Sequence, residues 1–288
     1  MNRRRRKSWL DYIFSKFNYR LSKKVNVPKR TYLYDFNRMK REIKPADVLL
    51  IESHTRIGNI IRLVTDSPWT HAVMYIGKLA DIKDLNLREM ILKHAGEFAS
   101  EQLVIESIIG KGTIISPLNK YKDNHIRISR PSYLLAEDIP KIIAYTINRL
   151  GSKYSLRHVL DLGRFIFPWR IFPRRWRSSL FQHNMQQPTE DICSSMIADA
   201  FLSVDYPILP VILKNKSGYE FIPRNPRLYT PSDFDFSPFF DIIKYPFFIL
   251  EKGGVSYRNL PWEPNLMSND TEIIHIPGEN KTQKPPEN

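Results

Sequence analysis

The sequence predicts a single domain of the α+β class. Short runs of apolar or alternating residues, typical of β-strands, come first and lie between residues 47 and 130. Residues 137–150 and 191–201 then repeat apolar side chains at the spacing of a helix. Strands followed by helices, without strict alternation of the two, indicate the α+β class. With 288 residues, of which 42% are hydrophobic, the chain is long enough to bury a core.

The N-terminal part is predicted to be a basic amphipathic segment over residues 1–40. Residues 8–21 place their apolar side chains along one face of a helix, directly after a run of arginines. This composition is typical of a helix that lies in an anionic membrane surface. The alternative is a helix docked on the domain, with its arginines in solvent. The side chains expected to contact a membrane are Arg3, Arg4, Arg5, Arg6, Trp9 and Phe17.

Five strands are predicted in the domain, which we place over residues 41–265. They cover residues 47–52, 71–77, 103–108, 113–116 and 125–130. The segment between the second and third strands is polar and helix-like, so we interpret it as an insertion outside the sheet. Residues 137–150 begin with acids and end before a glycine, which are helix start and stop signals.

Residues 163–182 interleave aromatic side chains with arginines. They are predicted to contact the membrane, to cover the site as a lid, or to form a packed loop with solvated arginines. The side chains expected to contact a membrane are Trp169, Arg174, Arg175 and Trp176. Residues 207–250 are predicted to wrap the domain, and residues 266–288 are predicted to be a disordered tail.

The net charge of +14 is concentrated in two patches. Residues 1–30 hold eleven Lys or Arg and one acid, and residues 164–177 hold five Arg and no acid. The rest of the chain is close to neutral, which argues against a nucleic-acid-binding surface. No stretch approaches the roughly 20 apolar residues of a membrane span, and no uninterrupted apolar region follows the basic start. We therefore expect a cytoplasmic protein. Any attachment of this protein to the inner membrane would be peripheral.

The only cysteine, Cys193, lies in the first turn of the helix predicted over residues 191–201. Its side chain shares a face with Ile197 and Phe201. A thiol at this position faces unpaired backbone N–H groups and the positive end of the helix dipole, and both favour the thiolate. A lone cysteine is also a common small core residue, so its position alone does not establish a nucleophile.

A catalytic cysteine needs a base, and the base needs an orienting acceptor. Of the seven histidines, His71 opens a predicted strand. Glu106 lies between Val104 and Ile108 on one face of another strand, where a carboxylate is costly unless it has a partner. We expect Glu106 to bind His71 and to set its tautomer. The alternatives are a surface or capped histidine and a glutamate that pairs with an arginine.

Short motifs occur in a distinctive order along residues 45–235. They are PADVL from Pro45, WTHAVMYIG from Trp69, VIES from Val104, GSKY from Gly151, ICSS from Ile192 and YTPSDF from Tyr229. This order resembles the YiiX/YebB-like family, which consists of circularly permuted members of the papain-like NlpC superfamily of cell-wall hydrolases. That superfamily is also related to the lecithin:retinol acyltransferase group. In the family, as here, the histidine precedes the glutamate and the cysteine.

The resemblance implies a circularly permuted papain-like fold, in which an antiparallel sheet packs against the helix of the catalytic cysteine. It implies Cys193 as the nucleophile, His71 as the general base and acid, and Glu106 as the residue that orients His71. Tyr154 matches a tyrosine position that can help to polarise the substrate carbonyl. The segment 78–102 is longer than the family's usual link between histidine and glutamate, which leaves the substrate open.

The implied chemistry is acyl transfer through a thioester on Cys193. The substrate would be an amide or ester, either a lipid acyl group or a cell-wall-type peptide, and no metal or other cofactor would be required. The expected partners are an acylated or peptide substrate and an anionic membrane surface, without nucleic acid; the oligomeric state stays open. The alternatives are a non-catalytic lipid- or membrane-binding module on the same fold and, less favoured, a nucleic-acid-binding protein.

Overall fold

The structure is a computed structural model, and it describes five long stretches of the chain and four short pieces. These are residues 34–53, 55–108, 110–152, 193–215, 218–246, 260, 262–263, 265–268 and 273–275. The helix predicted over residues 8–21 and the arginine–aromatic segment 163–182 lie outside the described residues. Most of the predicted tail 266–288 lies outside them as well.

Six helices and ten strands are described. The helices are α1 (Phe36–Glu42), α2 (Arg56–Thr65), α3 (Leu85–Ala95), α4 (Ile139–Ile147), α5 (Cys193–Leu202) and α6 (Asp233–Phe236). The strands are β1 (Val48–Glu52), β2 (His71–Lys78), β3 (Gln102–Ile108), β4 (Gly112–Pro117), β5 (His125–Pro131), β6 (Val211–Asn215), β7 (Gly218–Ile222), β8 (Phe240–Ile243), β9 (Leu266–Ser268) and β10 (Ile273–His275). A 3-10 turn over Leu118–Tyr121 follows β4.

A six-stranded antiparallel sheet forms the centre, in the order β4-β3-β2-β1-β5-β8. Its first five strands in chain order begin within one residue of the five predicted strands. The predicted helix over 137–150 is α4. The prediction of the α+β class with an antiparallel sheet is therefore confirmed.

Helices α1, α2 and α6 were not predicted, and the first two begin at a side-chain cap. The Asp35 carboxylate accepts a hydrogen bond from the Arg38 backbone N–H at the start of α1. The Thr55 hydroxyl accepts a hydrogen bond from the Gly58 backbone N–H at the start of α2. Met39 is the only buried residue of α1. A helix of seven residues with one buried side chain shows no repeating apolar pattern, which explains why the sequence did not predict it.

The two faces of the sheet pack against different elements, because successive strand residues point to opposite sides. On one face, Met74 of β2 and Ile105 of β3 lie in a cluster with Met196, Ile197 and Phe201 of α5. On the opposite face, a second cluster joins the sheet to α1 and to the 3-10 turn. It contains Val73, Tyr75, Val104, Met39, Leu118 and Tyr121.

The strands β2 and β3 pair over only part of their length. Their register runs from Lys78 opposite Gln102 to Met74 opposite Ile105, with a bulge next to Gly77, whose φ is 91°. Beyond Met74, β2 remains paired with β1, and β3 remains paired with β4. In the described ladders the two strands therefore separate at the end where His71 lies.

Two small sheets lie outside the central one. The strands β6 and β7 form a hairpin, and β9 pairs with β10. The second pair falls within the segment for which the composition predicts a disordered tail. In the segment 207–250, β8 adds an edge strand to the central sheet next to β5. Within the described ranges, no helix has both the length and the apolar character that crossing a bilayer requires.

Candidate active site

The separated ends of β2 and β3 bring together the three residues predicted to form a triad. His71 is the first residue of β2, and its Nε2 atom lies 2.9 Å from Oε2 of Glu106 on β3. The same imidazole forms a hydrogen bond with the Cys193 thiol at the start of α5. Because Nε2 is bound to the carboxylate, Nδ1 is the ring nitrogen that faces the sulfur.

The Glu106 carboxylate is fully buried and is surrounded by donors. Besides His71, it binds the Lys120 ammonium on Oε1 and the Tyr121 hydroxyl on Oε2, the latter at 2.5 Å. Burial alone would raise the pKa of Glu106, but the hydrogen bond from His71 and the charges of His71 and Lys120 hold the pKa below its ordinary value. The carboxylate is therefore ionised at neutral pH, and its burial is compensated.

The 3-10 turn after β4 supplies both additional donors. The Lys120 ammonium also donates to the Ser116 hydroxyl at 3.2 Å and lies 5.1 Å from the centroid of the Tyr121 ring. Burial, followed by the negative charge of Glu106, holds the pKa of the Tyr121 hydroxyl well above its ordinary value. Tyr121 therefore stays protonated and donates to the carboxylate.

The Cys193 side chain is only 5% exposed. Burial alone would raise the pKa of its thiol, but the charge and the hydrogen bond of His71 lower the pKa below its ordinary value. Hydrogen bonds from the backbone N–H groups of Ala72 and Ser194 act in the same direction. The sulfur therefore lies among groups that stabilise the thiolate.

The separation of the strands explains why the Ala72 N–H is available to the sulfur. Tyr75 donates its N–H to Asp47 on the β1 side. Since the N–H groups of an antiparallel strand alternate between its two neighbours, the Ala72 N–H points to the β3 side. The β2–β3 ladder has already ended at Met74.

The surroundings of the imidazole favour its charged form. Burial alone would lower the pKa of His71, but the charge and hydrogen bond of Cys193, followed by those of Glu106, raise the pKa to about 10. The lowered pKa of Cys193 and the raised pKa of His71 both favour a thiolate–imidazolium pair over the neutral pair. This pair can supply a nucleophile and a proton donor to one substrate carbonyl.

Packing of α5 sets the position of the thiol. Met196, Ile197 and Phe201 are completely buried. In the first turn, the Ser194 hydroxyl donates to the backbone carbonyl of Tyr229 at 2.6 Å. Cys193 is the first residue of the helix, so its backbone N–H needs no intrahelical acceptor.

A second polar group of side chains holds the segment just before β2. The buried Trp69 donates its indole N–H to Asp235 of α6 at 3.0 Å. The Arg127 guanidinium binds both oxygens of the same carboxylate at 2.9 Å and lies 4.8 Å from the Trp69 ring centroid. These contacts position the chain two residues before His71.

The structure thus brings together Cys193, His71 and Glu106 from three separate elements. The other predicted site residues lie outside the described residues: Tyr154, Arg3, Arg4, Arg5, Arg6, Trp9, Phe17, Trp169, Arg174, Arg175 and Trp176. Lys120, Tyr121 and Ala72 were not predicted. The one signal for the first two was indirect, namely that a carboxylate among apolar strand residues requires donors.

Among the residues that the structure describes, no group of three or more His, Cys, Asp or Glu side chains is arranged to hold a metal ion.

Comparison with known proteins adds a structural similarity. No family model and no curated protein matches the chain. Among solved structures, the chain is similar to that of the metalloprotein YiiX from Escherichia coli O157:H7, with a TM-score of 0.43 and 14% sequence identity. The match covers 70% of this chain and 97% of the other. Similarity at this level assigns neither an activity nor a residue role.

Proposed function

We propose that the protein is a cysteine hydrolase or acyltransferase that acts on amide or ester bonds. The observation that carries this proposal is the position of His71, which binds the Cys193 thiol and the buried Glu106 carboxylate through its two ring nitrogens. This is the arrangement that activates a thiol and also supplies a proton to the leaving group.

In the proposed reaction, the Cys193 thiolate attacks the carbonyl carbon and the carbonyl electron pair moves to oxygen. The backbone N–H of Cys193, at the start of its helix, would donate to that oxyanion. Collapse of the intermediate breaks the bond to the amine or alcohol, which takes its proton from His71. Neutral His71 then removes a proton from water or another acceptor as it attacks the thioester, and the thiolate leaves. Glu106 keeps the imidazole oriented throughout, and no metal or other cofactor is needed.

The proposal extends to the fold. The order His71, Glu106, Cys193 along the chain and the seating of the cysteine helix on the sheet support a circularly permuted papain-like fold of the NlpC type. An experimental structure that superposes on a papain-like enzyme only after its segments are reordered would support this assignment. Superposition in ordinary chain order would contradict it.

The substrate classes that we propose are lipid acyl groups and cell-wall-type peptides. The basic aromatic composition of residues 1–24 and 163–182 supports attachment to an anionic membrane surface from the cytoplasmic side. Sedimentation with anionic vesicles, with and without residues 1–24, measures this attachment.

A chromogenic ester tests the enzymatic proposal. We expect 4-nitrophenyl octanoate to release nitrophenolate and to leave an octanoyl group on Cys193, which intact-mass spectrometry detects. Cys193→Ala should abolish both signals, and His71→Ala should slow nitrophenolate release by about 100-fold or more, since general acid–base catalysis contributes that much.

Iodoacetamide provides the control for access to the thiol. If the folded protein resists alkylation at pH 7 and reacts only in urea, the enzymatic proposal fails. That result would leave the non-catalytic lipid-binding module as the better hypothesis.

A further inference from the structure

A separate cavity lies at the opposite end of β2 from His71. It has a volume of about 460 Å³ and opens between α1 and the ends of β2 and β3. Its lining residues are Asn37, Lys40, Arg41, Lys78 and Gln102. Because a strand rises about 3.3 Å per residue, Lys78 lies roughly 23 Å along β2 from His71. The cavity is therefore separate from the triad.

The lining of this cavity is cationic. Two lysines and one arginine face it, together with two amide side chains and no acid. Within the described residues, Lys40, Arg41 and Lys78 form no ion pair. Three positive charges around one cavity repel each other unless an anion lies between them.

Two acids close in sequence to these cations, Glu42 and Asp81, form hydrogen bonds to other groups. The Glu42 carboxylate binds the Arg38 guanidinium at 3.0 Å. The Asp81 carboxylate accepts the backbone N–H of Lys78 at 2.8 Å. Lys40 and Arg41 lie in the last turn of α1, where cations also stabilise the helix dipole, but this effect does not explain Lys78.

The framework of the cavity is held in place before any ligand binds. The Gln102 amide donates to the Lys40 backbone carbonyl at 2.9 Å and to the Tyr75 hydroxyl at 2.8 Å, which joins α1 to the sheet. Met39 anchors the same helix in the core. The bulge next to Gly77 changes the register of β2 just before Lys78. A site with its backbone already fixed loses little entropy when a ligand binds.

From these features we propose that this cavity binds a phosphate group, carried either by a phospholipid headgroup or by a soluble phosphorylated molecule. A guanidinium can bind phosphate through two parallel hydrogen bonds, and lysines add point charges. The volume accommodates a group of the size of a diphosphate or a lipid headgroup. Since the thiol lies far along the sheet, the bound phosphate is held rather than attacked.

Pyrophosphate binding by the full chain tests the proposal by calorimetry at low salt. We expect the triple variant Lys40→Gln, Arg41→Gln, Lys78→Gln to bind pyrophosphate at least tenfold more weakly than the wild type. A matched control, Lys83→Gln, Lys93→Gln, Lys122→Gln, removes the same charge from exposed positions outside the cavity. The control should stay within about twofold of the wild type, because screening weakens distant charges.

Vesicles of phosphatidylcholine with and without phosphatidylglycerol distinguish a phospholipid headgroup from a soluble phosphorylated molecule as the source of the phosphate. A headgroup ligand predicts that the anionic vesicles sediment less of the cavity variant than of the control, and that pyrophosphate competes. A soluble ligand predicts weaker pyrophosphate binding by the cavity variant with equal sedimentation of both. If neither pyrophosphate nor the vesicles distinguish the two variants, the proposal is wrong. The alkylation rate of Cys193 should be the same in both variants, which separates this test from that of the triad.

Discussion

At the scale of single residues, the site depends on a carboxylate with no access to water. Glu106 can remain ionised there only because three donors surround it, namely the His71 ring, the Lys120 ammonium and the Tyr121 hydroxyl. Lys120 does not touch the thiol, so we regard it as a positioning residue. Its contribution should appear in the pKa values of Glu106, His71 and Cys193.

We expect Lys120→Met to slow alkylation of Cys193 by iodoacetamide about 3- to 10-fold at pH 7. Without the ammonium, burial raises the pKa of Glu106, and a less anionic carboxylate supports less imidazolium on His71. The pKa of the Cys193 thiol should therefore rise, and the pH midpoint of alkylation should move upward. The measurement is the alkylation rate between about pH 5 and pH 10.

Two companion variants make this prediction specific. Lys120→Arg should restore most of the rate, because it keeps a cation beside Glu106. Lys122→Met should leave the midpoint unchanged, since that lysine is exposed two residues further on. If Lys120→Met slowed alkylation without moving its pH midpoint, the role of Lys120 would be structural only.

Only part of this chemistry could be predicted from the sequence. Glu106 and His71 lie in strands, where the period of two determines which side chains share a face. Lys120 and Tyr121 lie in a 3-10 turn, whose conformation follows no long apolar period. The Ala72 N–H could not be predicted either, because its availability depends on where a ladder between two strands ends.

At the scale of elements, the β6–β7 hairpin stands apart from the core. Val211 pairs with Ile222 and Ile212 pairs with Phe221, so each face of the hairpin carries large apolar side chains. All ten strand residues are nevertheless exposed. Alternation of apolar and polar residues predicts strands that bury one face, and this hairpin buries neither, which explains why its sequence did not predict it.

We expect Phe221→Ala to change the free energy of unfolding by less than about 0.5 kcal/mol, because 57% of the residue is exposed. The matched control is Phe234→Ala in α6, where the ring is completely buried and its loss should cost about 3–5 kcal/mol. Urea unfolding followed by circular dichroism measures both. A loss of several kcal/mol for Phe221→Ala would show that the hairpin is covered in solution.

At the scale of the whole molecule, segments far apart in the chain hold the sheet and the site together. Asp235 joins Trp69 before β2 to Arg127 on β5. Arg130 of β5 makes two hydrogen bonds to the buried Asp47 carboxylate, which precedes β1. Such pairings leave no local pattern, so the sequence could predict five of the six strands of this sheet but neither the edge strand β8 nor the side chains that connect the strands.

The distribution of charge is also a property of the whole molecule. Deleting residues 1–24 removes many of the cations of the N-terminal patch and leaves every described residue in place. We expect the truncated chain to sediment less with phosphatidylglycerol vesicles, since each basic residue near an anionic surface contributes about 1 kcal/mol. The alkylation rate of Cys193 should not change. Equal sedimentation of both chains would contradict attachment through this segment.

The order of the site along the chain has a consequence for biosynthesis. His71, Glu106, Lys120 and Tyr121 all leave the ribosome before Cys193 does, since synthesis proceeds from the N-terminus. A nascent chain can therefore assemble the histidine and its carboxylate while it still lacks the sulfur. Once made, Cys193 keeps an ordinary thiol until α5 docks on the sheet and brings the sulfur to His71 and the Ala72 N–H. The appearance of thiol reactivity at neutral pH would therefore report that α5 has docked and that folding of the site is complete.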